Sequence, residues 1–231
     1  MDDRLIVALD VPTIRKAREL IRQLDGLVSF YKIGLWLFFE PGVDILIDDL
    51  IAGGHKVFLD YKMYDIGETV RRGVASAARR GATIVTVHGD PAILAAAAEG
   101  AAGTPIQVFA ITVLTSQNDA ALAAMGYNQS VADLVTTRAK AAIAANIPGL
   151  IAAATDNLAA LRQLPGGTHL KFATPGIRLP TDPPNDQART ATPAQAFQNG
   201  ADYLVIGRPI TAHPNPAARA ELILAEMATA R

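Results

Sequence analysis

The feature that most constrains this chain is an alternation. Short β-branched runs and longer Ala/Leu-rich amphipathic stretches follow one another eight times along 231 residues. The apolar runs are RLIVALD (4–10), SFYKIG (29–34), HKVFLD (55–60), TIVTVH (83–88), IQVFAIT (106–112), GLIAAA (149–154), HLKFAT (169–174) and DYLVIG (202–207). Helical patterns lie between them at 12–24, 41–52, 67–80, 90–101, 130–146, 155–163 and 193–199, with a last one at 214–229. Thr155-Asp156, and Pro193 after Thr192, read as helix start signals. Strands that are apolar throughout and separated by helices belong in a parallel sheet covered on both faces. Eight such units point to an α/β fold, a closed (β/α)8 TIM barrel. A doubly wound open sheet is the alternative, since periodicity alone does not show closure. No linker or shift in composition divides the chain, so residues 1–231 are expected to form a single domain.

Composition narrows the functional classes. The formal net charge of −1 gives no polybasic footprint, so neither nucleic acid nor an anionic membrane is the expected partner. The chain has no cysteine, which excludes disulfides, thiolate nucleophiles and Cys-ligated zinc. The opening MDDRLIVALD has five apolar residues before Asp10, too few for the core of a signal peptide. The apolar runs elsewhere are broken by Gly, Pro or charge. The expected location is the cytoplasm and the expected ligand a small molecule.

Charge then collects where a barrel of this kind builds its site, at the C-terminal ends of the strands. Asp10 closes the first run, Lys32 lies near the end of the second, and Asp60 ends the third. Lys62 and Asp65 follow at once in FLDYKMYDIGETV (58–70), and His88 ends the fourth. Asp60 and Lys62 are two apart, so an extended backbone would point both side chains the same way. Taken singly, an aspartate here is a cap or turn former, a lysine is solvated, and His88 is a packing residue. Their coincidence at three successive strand ends favours a network whose alternating signs hold one another ionised in a dry cleft. Leu35 to Phe39 read as core or interface rather than as a ligand platform.

Two connections exceed what packing needs: 113–129, with room for a short extra helix, and 175–192, rich in Pro, Asp and Thr. Loops after the seventh and eighth strands of such barrels often form a phosphate site. Here they carry Arg178 and Gln187, then Gly207 and Arg208 in VIGRP. Glycine lets a backbone approach an anion closely, and arginine offers a fork matched to phosphate oxygens. Alone, Gly-Arg-Pro would be a turn with a solvated arginine. In the expected fold the two loops favour a phosphorylated small molecule, with its reacting part near Lys62.

These residues resemble the orotidine 5′-monophosphate decarboxylase family along almost the whole chain: ALD (8–10), YKIG (31–34), DYKMYDIGETV (60–70), VLTS (113–116), TPGIR (174–178), DQAR (186–189) and VIGRP (205–209). The resemblance implies a (β/α)8 barrel, cofactor-independent decarboxylation of orotidine 5′-monophosphate, and a homodimer with shared active sites. It implies that Asp60 and Lys62 are the catalytic pair, with Asp10 and Lys32 in the charged network and on the ribose. Asp65, Ile66 and Thr69 would be lent to the neighbouring subunit's site. Thr115 and Ser116 would contact the pyrimidine, and Arg178, Gln187, Gly207 and Arg208 would grip the phosphate. The chain departs from the family pattern at Tyr61, at Met63-Tyr64 and at Gly67-Glu68, none of which removes a member of the Asp/Lys network. A related barrel family keeps Asp-x-Lys-x-x-Asp but decarboxylates a keto-sugar phosphate with Mg²⁺. Thr69 and the Gln187 loop argue for the first family.

Overall fold

The structure is a computed structural model that describes residues 1–180, 182 and 189–229. Eight parallel strands close into a barrel in sequence order: β1 (Leu5–Ala8), β2 (Phe30–Gly34), β3 (Lys56–Met63), β4 (Ile84–His88), β5 (Gln107–Ile111), β6 (Gly149–Ile151), β7 (Lys171–Thr174) and β8 (Tyr203–Ile206). Closure comes from pairing β1 with β8, Leu5 opposite Leu204 and Val7 opposite Ile206. The open-sheet alternative is thereby excluded.

Strand alternation sorts side chains into two cores. One face of each strand packs outward against the helices, as Leu5, Val7, Tyr31, Ile33, Val57, Leu59, Val85 and Val87 do. The other face fills the barrel interior with Ile6, Ala8, Phe30, Phe58, Ile84, Phe109, Ala173 and Val205. Phe30 and Phe109 close on Tyr203, with ring centroids 6.1 and 6.2 Å away. The lower barrel is therefore a packed aromatic plug and not a pore. Two residues further along the same inward rows come Lys32 after Phe30, Asp60 after Phe58 and Thr86 after Ile84. The interior thus changes from apolar to polar within one pair of residues.

Several boundaries differ from the sequence reading. β1 and β6 end at Ala8 and Ile151, short of the expected 10 and 154. Leu9 still donates to the Lys32 carbonyl and Ala152 to that of Ala173, and past these residues the chain leaves the ladder. β3 runs on to Met63. The extra helix expected in 113–129 is Asp119–Ala124, capped by the Asn118 side chain. Thr192 does cap its helix, with Gln195 completing a reciprocal capping box. The helix expected from 155 begins only at Leu158, with Asn157 as its cap. Asp156 is not free to cap it, because its carboxylate accepts from the Ala153 amide at 2.8 Å and pairs with Arg189. Two four-residue helices, Leu35–Phe38 and Arg208–Thr211, went unanticipated; segments this short carry too little periodicity to read. Among the described residues, no helix is long and apolar enough to cross a membrane.

Candidate active site

The upper barrel carries a continuous chain of ion pairs drawn from its first three strands. Lys32 Nζ lies 3.0 and 3.1 Å from the two carboxylate oxygens of Asp10. It also lies 3.2 Å from Asp60 Oδ2. The other oxygen of Asp60 accepts from Lys62 Nζ at 2.8 Å. Signs alternate along the chain, so each inner member faces two opposite charges. Lys32 and Asp60 are the buried members, while Asp10 and Lys62 open to the cavity. Burial alone would depress the Lys32 ammonium; Asp60 and Asp10 outweigh it and raise its pKa. Burial alone would raise the Asp60 carboxyl; Lys32 and Lys62, with hydrogen bonds from Lys62 and Thr86, hold it below the usual carboxylate range.

Local structure explains how these groups meet. Gly34 ends β2 beside the first pair, and a Cβ there would stand 2.5 Å from Asp10 Oδ1 and 2.9 Å from Lys32 Nζ. Any other residue would push the pair apart. In β3 the extended backbone does not continue as expected through Lys62. Register advances from Leu59 opposite Val85 to Met63 opposite Val87, so four steps on β3 face two on β4. This bulge puts Lys62 at φ 47°, in the left-handed region. The lysine still reaches Asp60, through a turned backbone and not along one strand face. Its amide donates to Thr86 Oγ1 at 2.9 Å.

Above the ion pairs lies a cavity of about 490 Å³, within the range of small-molecule sites. Asp10, Lys32, Asp60, Lys62, Thr115, Ser116, Arg178, Gly207 and Arg208 all line it. The backbone of Ile177 and Arg178 is tied to Ala191, which closes the base of the long seventh loop. At Gly207 a Cβ would meet nothing nearer than Ala8 Cβ at 3.6 Å. The protein's own packing would therefore accept a side chain there, unlike at Gly34.

Three expected residues lie elsewhere. Asp65, Ile66 and Thr69 are exposed and do not line this cavity. Asp65 accepts from the Ile66 amide at 2.7 Å, and among the described residues no ion pair joins it to Lys62. Gln187 lies outside the described residues. Trp36, expected in core or interface, is on the cavity wall and more than half exposed.

Other residues were missed by sequence reasoning. Thr86 was legible as a polar residue on the inward row of IVTVH, between Ile84 and His88, and that signal was available. Arg189 was not. It pairs with Asp156 and donates to the carbonyls of Val113 and Leu114 at 3.2 and 3.3 Å, which props the wall that leads into Thr115. Those partners lie at least 33 residues away in sequence.

Comparison with known proteins places the chain in a family. The model of the family described as Orotidine 5'-phosphate decarboxylase / HUMPS family matches residues 3–223. The chain is 48% identical over 228 residues to the orotidine 5'-phosphate decarboxylase of Afipia carboxidovorans, covering 99% of this chain and 96% of that protein. It is 47% identical over 225 residues to that of Rhodopseudomonas palustris strain BisA53, covering 97% and 94%. Its structure is similar to the crystal structure of orotidine 5'-phosphate decarboxylase from Lactobacillus acidophilus, with TM-score 0.83, 32% identity and 98% and 99% of the two chains covered. With the family model spanning nearly the whole barrel, the chain belongs to the orotidine 5'-phosphate decarboxylase / HUMPS family.

Proposed function

We propose that this protein decarboxylates orotidine 5′-monophosphate to uridine 5′-monophosphate, the last step of de novo UMP synthesis, without a cofactor. The observation that carries the reading is the Asp10–Lys32–Asp60–Lys62 chain opening into a cavity whose rim holds Arg178 and Arg208.

The chemistry demands such an arrangement. The bond from C6 of the pyrimidine to the carboxylate breaks, CO₂ departs, and the electron pair stays on C6 in the ring plane with little delocalisation. Stabilisation of about 20 kcal/mol is required. Lys62 then has two jobs. Its ammonium faces the developing carbanion, and one of its protons passes to C6; solvent later restores it. A single ammonium about 4 Å away contributes roughly 4 kcal/mol at an effective dielectric near 20. The remainder falls to a network fixed before the substrate arrives and to binding energy from the distant phosphate. Asp60 keeps the Lys62 ammonium aimed, and Lys32 keeps Asp60 ionised beside it. Arg178 and Arg208 take the phosphate, Gly207 gives its backbone room to approach, and Thr115 and Ser116 meet the base. Gln187 joins the phosphate grip in this reading.

The same reading makes the protein a homodimer, with Asp65, Ile66 and Thr69 reaching the site of a second copy. Large apolar side chains at the tops of β2 and β3 support it: Trp36, Phe38, Phe39, Tyr64 and Ile66 are all exposed.

Purified protein mixed with orotidine 5′-monophosphate in EDTA, followed by the ultraviolet change on loss of the carboxylate, tests the proposal. Rapid conversion is expected. No conversion, with turnover of a keto-sugar phosphate once Mg²⁺ is added, would overturn it.

A further inference from the structure

The left-handed region is disfavoured for any L-amino acid with a side chain, so Lys62 at φ 47° needs neighbours that hold it there. One neighbour does so from the next strand. Thr86 is fully buried on the inward row of β4. Its hydroxyl accepts the Lys62 amide proton at 2.9 Å and donates to Asp60 Oδ1 at 3.0 Å. The directions follow from the partners, since an amide only donates and an ionised carboxylate only accepts. The same Asp60 oxygen takes the Lys62 ammonium at 2.8 Å. A closed ring results: Lys62 backbone to Thr86, Thr86 to Asp60, and the Lys62 side chain back to Asp60. It ties the bulge, the carboxylate and the ammonium to one hydroxyl.

We propose that Thr86 is a positioning residue for this site, fixing the Lys62 backbone and the Asp60 carboxylate together so that the ammonium is aimed before any ligand binds. This rests on the function proposed above. A valine, which matches threonine in shape, would fill the same space and satisfy neither partner. The groups that face Asp60 are Lys32 from β2, Lys62 from its own strand and Thr86 from β4, with Asp10 of β1 reached through Lys32. Only Thr86 among them is uncharged, so its removal changes aim and hydrogen bonding without deleting a charge.

The test compares Thr86→Val with Thr86→Ser on orotidine 5′-monophosphate, reading kcat, KM and the acid limb of kcat/KM. Thr86→Val is expected to lower kcat about 100-fold, the scale of a reacting group displaced by about 1 Å, with little change in KM. Its acid limb should move to higher pH, because Asp60 loses a donor that favours its ionised form. Thr86→Ser should restore both. Should Thr86→Val not fold, Thr86→Ala takes its place. Retained kcat with an unmoved acid limb, or equal losses in the valine and serine variants, would overturn the proposal. If the unaltered protein converts no orotidine 5′-monophosphate, the functional reading fails by itself. The role of Thr86 is then decided by the crystal structure of Thr86→Val: Lys62 leaving the left-handed region upholds it, and an unchanged bulge overturns it.

Discussion

Aspartate and lysine pair at both ends of the third strand, with opposite consequences. Below the barrel, Asp3 takes the Lys56 ammonium at 2.5 Å and the Ser29 hydroxyl at 2.7 Å, and the charged side chains are 48% and 44% exposed. Above it, Lys32 and Asp60 meet at 3.2 Å with side chains 7% and 11% exposed. The lower pair stays hydrated and contributes about 0–1 kcal/mol. The upper pair gives up water at several kcal/mol per ion and recovers it only through partners on both sides. Between them the plug of Phe30, Phe58, Phe109 and Tyr203 shows that this barrel fills its interior with rings where nothing else is asked of it. The difference teaches that the upper charges are a cost to folding that packing does not call for, which is what the proposed chemistry would require, whereas the lower ones decorate an edge.

The largest effect expected from breaking this contrast follows Lys62→Ala. Asp60 keeps Lys32, and Lys62 borders the cavity, where water can take its place, so the barrel should survive and lose less stability than when Lys32 is removed. Turnover should drop by at least about 10³-fold, the equivalent of ~4 kcal/mol; near-normal kcat would remove Lys62 from the mechanism. Lys32→Met attacks the buried side of the comparison. It takes from Asp60 the buried cation that water cannot replace and should lower stability by about 3–5 kcal/mol in denaturant titration. The acid side sharpens the same point. The Asp60 carboxyl is held below its ordinary value by Lys32 and Lys62 against the effect of burial. It therefore contributes stability present above the unfolded pKa of about 3.9, lost as pH falls through the lower folded value. An Asp60→Asn variant should lack that loss, and parallel stability curves for the two proteins would contradict the depressed pKa. Arg208→Ala should reduce kcat/KM on the nucleotide far more than on the corresponding nucleoside, and equal losses would reject its phosphate role. The smallest change belongs to Asp3→Ala below the barrel: under about 1 kcal/mol of stability and no change in kcat.

Much of this was legible because it follows from local pattern. Eight apolar runs between amphipathic stretches imply the barrel, and charged residues at the ends of those runs imply where the site lies. Asp10, Lys32, Asp60 and Lys62 fall together because strand ends in a closed parallel barrel converge. What was hidden depends on register. Nothing in the side chain of Lys62 marks a left-handed backbone, and Thr86 matters only because two extra residues in β3 bring the Lys62 amide opposite it. Arg189 and Asp156 were hidden for another reason. Their pairing joins two loops that periodicity does not describe, and it takes from the helix after β6 the cap that Thr155-Asp156 had suggested. Asp65, Ile66 and Thr69 stand away from this chain's own cavity, a separation implied by the family resemblance and by nothing in periodicity or spacing.

The bulge in β3 also makes the barrel modular. Through Leu59 the third strand keeps step with the fourth, Phe58 beside Ile84 and Leu59 beside Val85. The stagger that closes the cylinder is set below that point. The two surplus residues above it act as slack in a rope already tied off. Pairing resumes at Met63 opposite Val87, so the slack lies between two tied points, and a substitution at Tyr61 should shift Lys62 without making any strand slide past its neighbour. Reaction geometry and barrel geometry can thus vary independently, which gives both selection and protein engineering a place to retune catalysis on an unaltered frame.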